Sequence, residues 1–181
     1  MDIEHKTTKG QVVIKFAIIY ALVSIGISLV FYIMDINQSG WLAALPSLVL
    51  TTAILFFGLN SRKNDTLGGY MSYSQGLGTG MLIVLAGSLV ASLYQYVFLT
   101  FIDPEFVEKA LNLAKEEMLK KEMSEDQIEQ AISMSRKMMK PWVMSLIGLF
   151  GSLFFGLIIN LILAAVTKKE DPNRFYSNLQ S

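Results

Sequence analysis

Residues 141–167 read PWVMSLIGLFGSLFFGLIINLILAAVT and contain no charged side chain. An α-helix rises about 1.5 Å per residue, so about 20 apolar residues cross a hydrocarbon core of roughly 30 Å. Three more stretches have the same character, at residues 16–34, 41–59 and 70–102. Buried helices of soluble domains keep a charged face, and these stretches do not. We therefore predict an all-α integral membrane protein with four spans, at about residues 13–34, 41–59, 73–102 and 142–167.

The composition excludes several classes of function. Fifteen Lys and Arg residues balance 15 Asp and Glu residues, so no basic surplus points to nucleic acid as a partner. The absence of cysteine excludes disulfides, thiolate metal sites and cysteine nucleophiles, and His5 is the only histidine. No ionisable side chain lies deep within a span, which argues against a proton-driven transporter but not against a passive oligomeric pore. We predict no metal and no cofactor, and the lipid bilayer is the first predicted partner.

The distribution of basic residues predicts the topology. Lys6, Lys9 and Lys15 precede or begin the first span, whereas the tight turn predicted at Asp35–Gly40 has no basic residue. The first stretch is longer than a signal-peptide core and lacks a small-x-small cleavage site, so we expect it to be retained. By the positive-inside tendency both termini are predicted to be cytoplasmic. The same side would then hold two basic pairs at span ends, Arg62-Lys63 and Lys168-Lys169.

Residues 103–140 are polar and predict a helical hairpin outside the membrane, within a single membrane domain. Asp103-Pro104-Glu105 is typical of a helix start, and the first helix is expected to reach about Lys121. Ser124 and Gln127 have the spacing of a capping box, which predicts a second helix from Glu125 to about Lys140.

Each helix of this hairpin carries an apolar stripe at helical spacing. The first stripe includes Val107, Leu111 and Met118. The second includes Ile128, Ile132 and Met139. Two interpretations remain open at this point: the stripes pack on each other, or they present a groove to a protein partner.

Small residues recur every four positions in the last span, at Gly148, Ser152, Gly156 and Asn160. Such a ridge lets two transmembrane helices approach closely, and an asparagine can hydrogen-bond across the contact. The ridge predicts either packing inside the four-helix bundle or a contact between copies in a homo-oligomer.

Several local sequences resemble one family. They are the Arg62-Lys63 turn, GGYMSYSQG at residues 68–76, Tyr94-Gln-Tyr96 and the continuation into Ile102-Asp-Pro-Glu105. With the four-span layout and the charged insertion before the last span, the chain resembles domain-of-unknown-function family 4199 over about residues 10–167. The resemblance implies a small membrane protein of the bacterial cytoplasmic (inner) membrane, and it implies no catalytic residue.

Three functions are compatible with these observations. The first is a non-enzymatic membrane protein that uses the 103–140 hairpin for interaction or assembly. The alternative is a subunit of a small oligomeric transporter or pore. A membrane enzyme ranks third, because it needs a polar triad or a metal cluster that the sequence does not suggest.

Overall fold

A computed structural model describes residues 8–34 and 44–172. It contains six α-helices in these ranges: α1 (Lys9–Ile33), α2 (Leu45–Ser61), α3 (Tyr73–Val97), α4 (Phe106–Lys120), α5 (Glu125–Met138) and α6 (Pro141–Thr167). A π-helical turn, Arg62–Thr66, continues α2, and a second one, Phe98–Ile102, continues α3. The predicted turn at Asp35–Gly40, together with His5 and Lys6, lies outside the described residues.

Four of these helices are long and apolar enough to cross a membrane: α1, α2 with its π turn, α3 with its π turn, and α6. Many large apolar side chains on them point away from the protein. Ile14, Phe57 and Val166, for example, are each exposed by more than 60%. Hydrocarbon outside the helices solvates such side chains, and the helical backbone satisfies its own polar groups there. The predicted fold class is confirmed: this is an all-α membrane protein with a helical hairpin between the third and fourth spans.

The chain divides into two compact units. The span unit consists of the residues up to Ala91 together with those from Ser152 onward. The hairpin unit consists of Ser92–Gly151. Helices α3 and α6 each contribute residues to both units, because each helix passes a unit boundary.

The core of the span unit forms where α3 approaches α1 and α2. Its fully buried members include Val12 of α1, Leu55 and Leu59 of α2, and Ile83 and Val84 of α3. Glycines allow this close approach, since a Cβ at Gly58 would lie 2.8 Å from the Ile83 side chain. A Cβ at Gly87 would likewise lie 2.6 Å from the ring of Tyr20. The small residues of α2 and α3 therefore set how closely these helices pack.

Candidate functional site

The turn of the hairpin is a helix C-cap followed directly by an N-cap. Helix α4 ends in a Schellman arrangement, in which the Met123 N–H donates to the Met118 oxygen at 3.3 Å and the Glu122 N–H donates to Leu119 at 3.0 Å. Glu122 has a φ of 56°, which is the left-handed conformation that glycine usually adopts. The Ser124 hydroxyl then accepts from the Gln127 N–H, and the Gln127 side chain accepts from the Ser124 N–H. The capping box predicted at these two residues is confirmed.

The start of α4 differs in detail from the expectation. The helix begins at Phe106, and its N-cap residue Glu105 makes no side-chain capping bond. The Asp103 side chain is largely buried and accepts instead from Lys109 Nζ at 3.5 Å. Pro104 and Glu105 form a turn between Asp103 and the helix, so the carboxylate reaches a side chain of the second helical turn rather than the first free N–H groups.

The two hairpin helices pack through a small apolar interior and one bidentate ion pair. Leu111 of α4 is 2% exposed and Ile128 of α5 is 4% exposed. Both Arg136 guanidinium NH groups donate to the Glu108 carboxylate, one of them at 2.9 Å, and so join α5 to α4. Such parallel bonds fix geometry as well as adding energy. The register of α4 on α5 is therefore set by packing and by this pair together.

The residues predicted as a partner surface divide into two groups. Leu111 and Ile128 are buried inside the hairpin, and Val107, Met118, Ile132 and Met139 are half-buried. The most exposed apolar side chains of the hairpin belong to residues outside this predicted set. Leu113, Leu119, Met134 and Met138 are each exposed by about half or more. Two of the six predicted residues therefore lie in the interior of the hairpin, and the most exposed apolar side chains are not among the six.

A groove of about 710 Å³ lies between α4 and α5, and of the open side chains above it includes Leu119. Three apolar residues form its floor, namely Leu119, Ile128 and Ile132. Charged side chains of both signs line it as well: Lys115, Glu125, Glu129 and Arg136. We refer to these seven residues, with Ser133, as the hairpin groove. An apolar floor between charges of both signs is suited to an amphipathic helix.

The small-residue ridge of α6 faces other helices of the same chain at three of its four positions. In the span unit, Asn160 Nδ2 donates to the main-chain oxygen of Leu77 at 2.7 Å. The Asn160 carboxamide occupies the space that a side chain at Gly80 would need. A Cβ at Gly156 would lie 2.7 Å from Val84. In the hairpin unit, a Cβ at Gly148 would lie 2.6 Å from the Gln95 side-chain oxygen. Ser152 is half-buried. The contact between copies of the chain stays a prediction.

Two features at the end of the span unit escaped the sequence reasoning. Thr8 with Gln11 and Ser72 with Gln75 form reciprocal capping bonds at the starts of α1 and α3. Their signal was available, because both repeat the Ser/Thr-x-x-Gln spacing of residues 124–127. The second feature is the buried position of Arg62 Nε, which no sequence pattern predicts.

Within residues 8–34 and 44–172, no group of three or more His, Asp or Glu side chains is placed to hold a metal ion. The prediction that the protein uses no metal or cofactor remains a prediction.

A family described as "Protein of unknown function (DUF4199)" is similar to most of the chain. Its model matches residues 15–169, which include most of the first span, the other three spans and the hairpin. No curated protein and no solved structure matches the chain.

Proposed function

Since the chain belongs to the DUF4199 family, a family of unknown function, we propose a role for it from its own surface. The protein is a non-enzymatic interaction or assembly factor that holds the hairpin Asp103–Lys140 ready for a partner protein. One observation carries the proposal: the hairpin is closed by its own interior and still leaves a groove with an apolar floor and charged sides.

The structure of the hairpin supports a binding role because several contacts fix the packing of α4 on α5, on which the groove depends. Helices of 14 and 15 residues are marginal in isolation. Here the buried Leu111 and Ile128, the Ser124 capping box and the Arg136–Glu108 pair hold them together. A groove that is already formed loses less conformational entropy when a ligand binds.

The chemistry of the groove indicates the kind of partner. Leu119 and Ile132 would receive apolar side chains spaced three or four residues apart on a helix. Lys115 favours an acidic residue of that helix, and Glu125 and Glu129 favour basic ones. We therefore propose an amphipathic helix of a partner protein, with charges of both signs beside its apolar stripe.

The proposed location is the cytoplasmic (inner) membrane of a bacterium, with both termini in the cytoplasm. The basic residues around the first span support this orientation. The hairpin would then face the opposite side of the membrane, where the partner helix is expected.

Two leucines of α4 provide a matched test. Leu119 lies in the groove and is 52% exposed, whereas Leu113 lies outside it and is 48% exposed. The protein is extracted from its native membrane in mild detergent, and the mass and composition of the complex are measured for Leu119→Glu and for Leu113→Glu. Leu111→Glu is unsuitable, because Leu111 is buried and a carboxylate there would disrupt the hairpin itself.

We expect a stoichiometric partner that is lost from Leu119→Glu and retained by Leu113→Glu. A partner retained by both variants, or lost equally from both, would refute the groove as its binding site. A homo-oligomer without a partner, together with flux in liposomes, would favour the alternative of a pore subunit.

A further inference from the structure

Basic side chains gather at the end of the span unit where α2 ends and α3 begins. Arg62 and Lys63 lie in the π turn that continues α2, and Lys169 follows α6. The Gly69 N–H donates to the Lys63 oxygen at 2.9 Å. Met71 and Lys169 exchange two main-chain hydrogen bonds of 2.8 and 2.9 Å. Gly69 and Met71 are two residues apart, at most about 7 Å along the chain, so the backbones of Lys63 and Lys169 are held near each other.

Two of the acidic residues at this end contact groups other than these three cations. Asp65 accepts a hydrogen bond of 2.6 Å from the Ser61 hydroxyl, and Glu170 pairs with Lys168 at 3.0 Å. Among the described residues, Arg62, Lys63 and Lys169 form no salt bridge. The described basic side chains of the span unit at this end are Lys9, Lys15, Arg62, Lys63, Lys168 and Lys169, and the acidic ones are Asp65, Glu170 and Asp171. Counted over the described residues, this end therefore carries more positive than negative charge.

The π turn also holds hydrogen-bonding groups that lack partners. Arg62 Nε and Thr66 Oγ1 are both buried and have no hydrogen-bond partner in the described part of the chain. A guanidinium nitrogen can only donate, so the missing group on Arg62 is an acceptor. Buried polar atoms without partners are uncommon in proteins, and an absent water or ion is one explanation for them.

The protein encloses Arg62 Nε, so a ligand from outside would reach only the rest of the guanidinium, and the depth of the π turn indicates what that ligand would be. Arg62–Thr66 is the last turn of a candidate span, so it lies where the hydrocarbon ends and the headgroups begin. Tyr70 follows closely, with Lys169 Nζ 5.2 Å from the centre of its ring. Tyrosine rings of this kind are typical of the headgroup level. Lipid phosphates are among the acceptor groups that a bilayer supplies at this level, and they carry the negative charge that an electropositive surface attracts.

We propose that this end of the span unit binds the headgroup phosphate of an anionic phospholipid. The Arg62 guanidinium is its principal contact, because the planar fork of arginine matches two phosphate oxygens. Lys63 and Lys169 add positive charge beside it. The proposal is independent of the hairpin and of its partner.

The test uses the full-length protein in a neutral detergent. The protein receives an equimolar mixture of phosphatidylglycerol and phosphatidylcholine, and bound lipids are counted by native mass spectrometry. We expect a preference for phosphatidylglycerol that falls about fivefold for Arg62→Gln. For the triple variant Arg62→Gln/Lys63→Gln/Lys169→Gln the expected fall is about a hundredfold. A matched control removes three hairpin charges, Lys115→Gln/Lys120→Gln/Lys121→Gln, and should keep the preference.

Two further experiments distinguish a lipid phosphate from free phosphate and control for misfolding of the variants. Inorganic phosphate at the lipid concentration should neither displace phosphatidylglycerol nor raise the thermal midpoint; if it does both, the ligand is a free anion and the lipid proposal fails. Lys169→Gln alone alters an exposed side chain and should lower the preference while the midpoint in phosphatidylcholine stays unchanged. Equal retention of both lipids by the unaltered protein, or an unaffected preference in the triple variant, would overturn the proposal.

Discussion

Asn160 and Leu77 are joined by a hydrogen bond between two helices that belong to distant parts of the chain. The Asn160 Nδ2 donates to the Leu77 main-chain oxygen at 2.7 Å, and the carboxamide lies against Gly80. This pair connects α6 to α3 inside the span unit. The contact depends on Gly80 having no side chain, because a Cβ there would overlap the carboxamide.

Gly80→Ala should destabilise the protein, whereas Gly78→Ala should not. Asn160 occupies the position that a Cβ at Gly80 needs, while a Cβ at Gly78 meets nothing within 4 Å. Overpacking of this kind costs about 1–3 kcal/mol, and alanine at an open helical position is neutral or slightly stabilising. Thermal unfolding in detergent compares the two variants. Equal midpoints would show that α6 does not approach α3 closely at Gly80.

Asn160→Ala should cost about 0.6 kcal/mol, the average found for hydrogen bonds between transmembrane helices. Its combination with Gly80→Ala should cost less than the sum of the two, because the alanine methyl then has room. A double-mutant cycle measures this coupling. Strict additivity would indicate that the two residues do not touch.

Gly156→Ile should lower the thermal midpoint without altering the mass of the particle. The added side chain would meet Val84, since even a Cβ would lie 2.7 Å from that residue. Gly151→Ile is the matched control on the same helix, because nothing lies within 4 Å of a Cβ there. A lower particle mass at an unchanged midpoint would instead assign the ridge to contacts between copies of the chain.

Glu122→Gly should stabilise the hairpin by about 1 kcal/mol. A left-handed residue with a side chain is strained by about that amount, and glycine relieves the strain. Lys121→Gly should do the opposite, because Lys121 has a φ of −89°. Hydrogen exchange of the α4 and α5 amides in the two variants measures the difference. Faster exchange in Glu122→Gly would contradict the proposed strain.

A Lys121→Cys variant should react with an impermeant maleimide in intact spheroplasts, because the hairpin is predicted to face away from the cytoplasm. Asn64→Cys, in the exposed part of the π turn, should react only after lysis. The chain has no cysteine of its own, so neither assay has a background signal. The reverse pattern of labelling would invert the topology.

Much of the fold could be predicted because hydrophobic length and capping chemistry act locally. The 27-residue apolar stretch of α6 predicts a span, and Ser124 with Gln127 predicts where α5 begins. The partner surface could not be predicted in the same way. A stripe such as Leu111 and Ile128 shows that a helix has an apolar side, but not what covers it. Only the packing of α4 on α5 distinguishes the buried Leu111 from the open Leu119.

The left-handed Glu122 and the two π turns also lie beyond sequence reasoning. Glutamate does not favour positive φ. It adopts this conformation here because the Schellman bonds before it and the capping box after it fix the backbone on both sides. The residues of the π turn at Arg62–Thr66 do not distinguish it from the end of an ordinary α-helix.

The three capping boxes in the described part of the chain share glutamine as their second member, at Gln11, Gln75 and Gln127. Glutamate is the other residue that makes this bond, and its carboxylate would gain a proton wherever the local medium became acidic. A carboxamide has no proton to gain or lose. The starts of α1, α3 and α5 should therefore keep their caps across any pH difference between the two faces of an energised membrane.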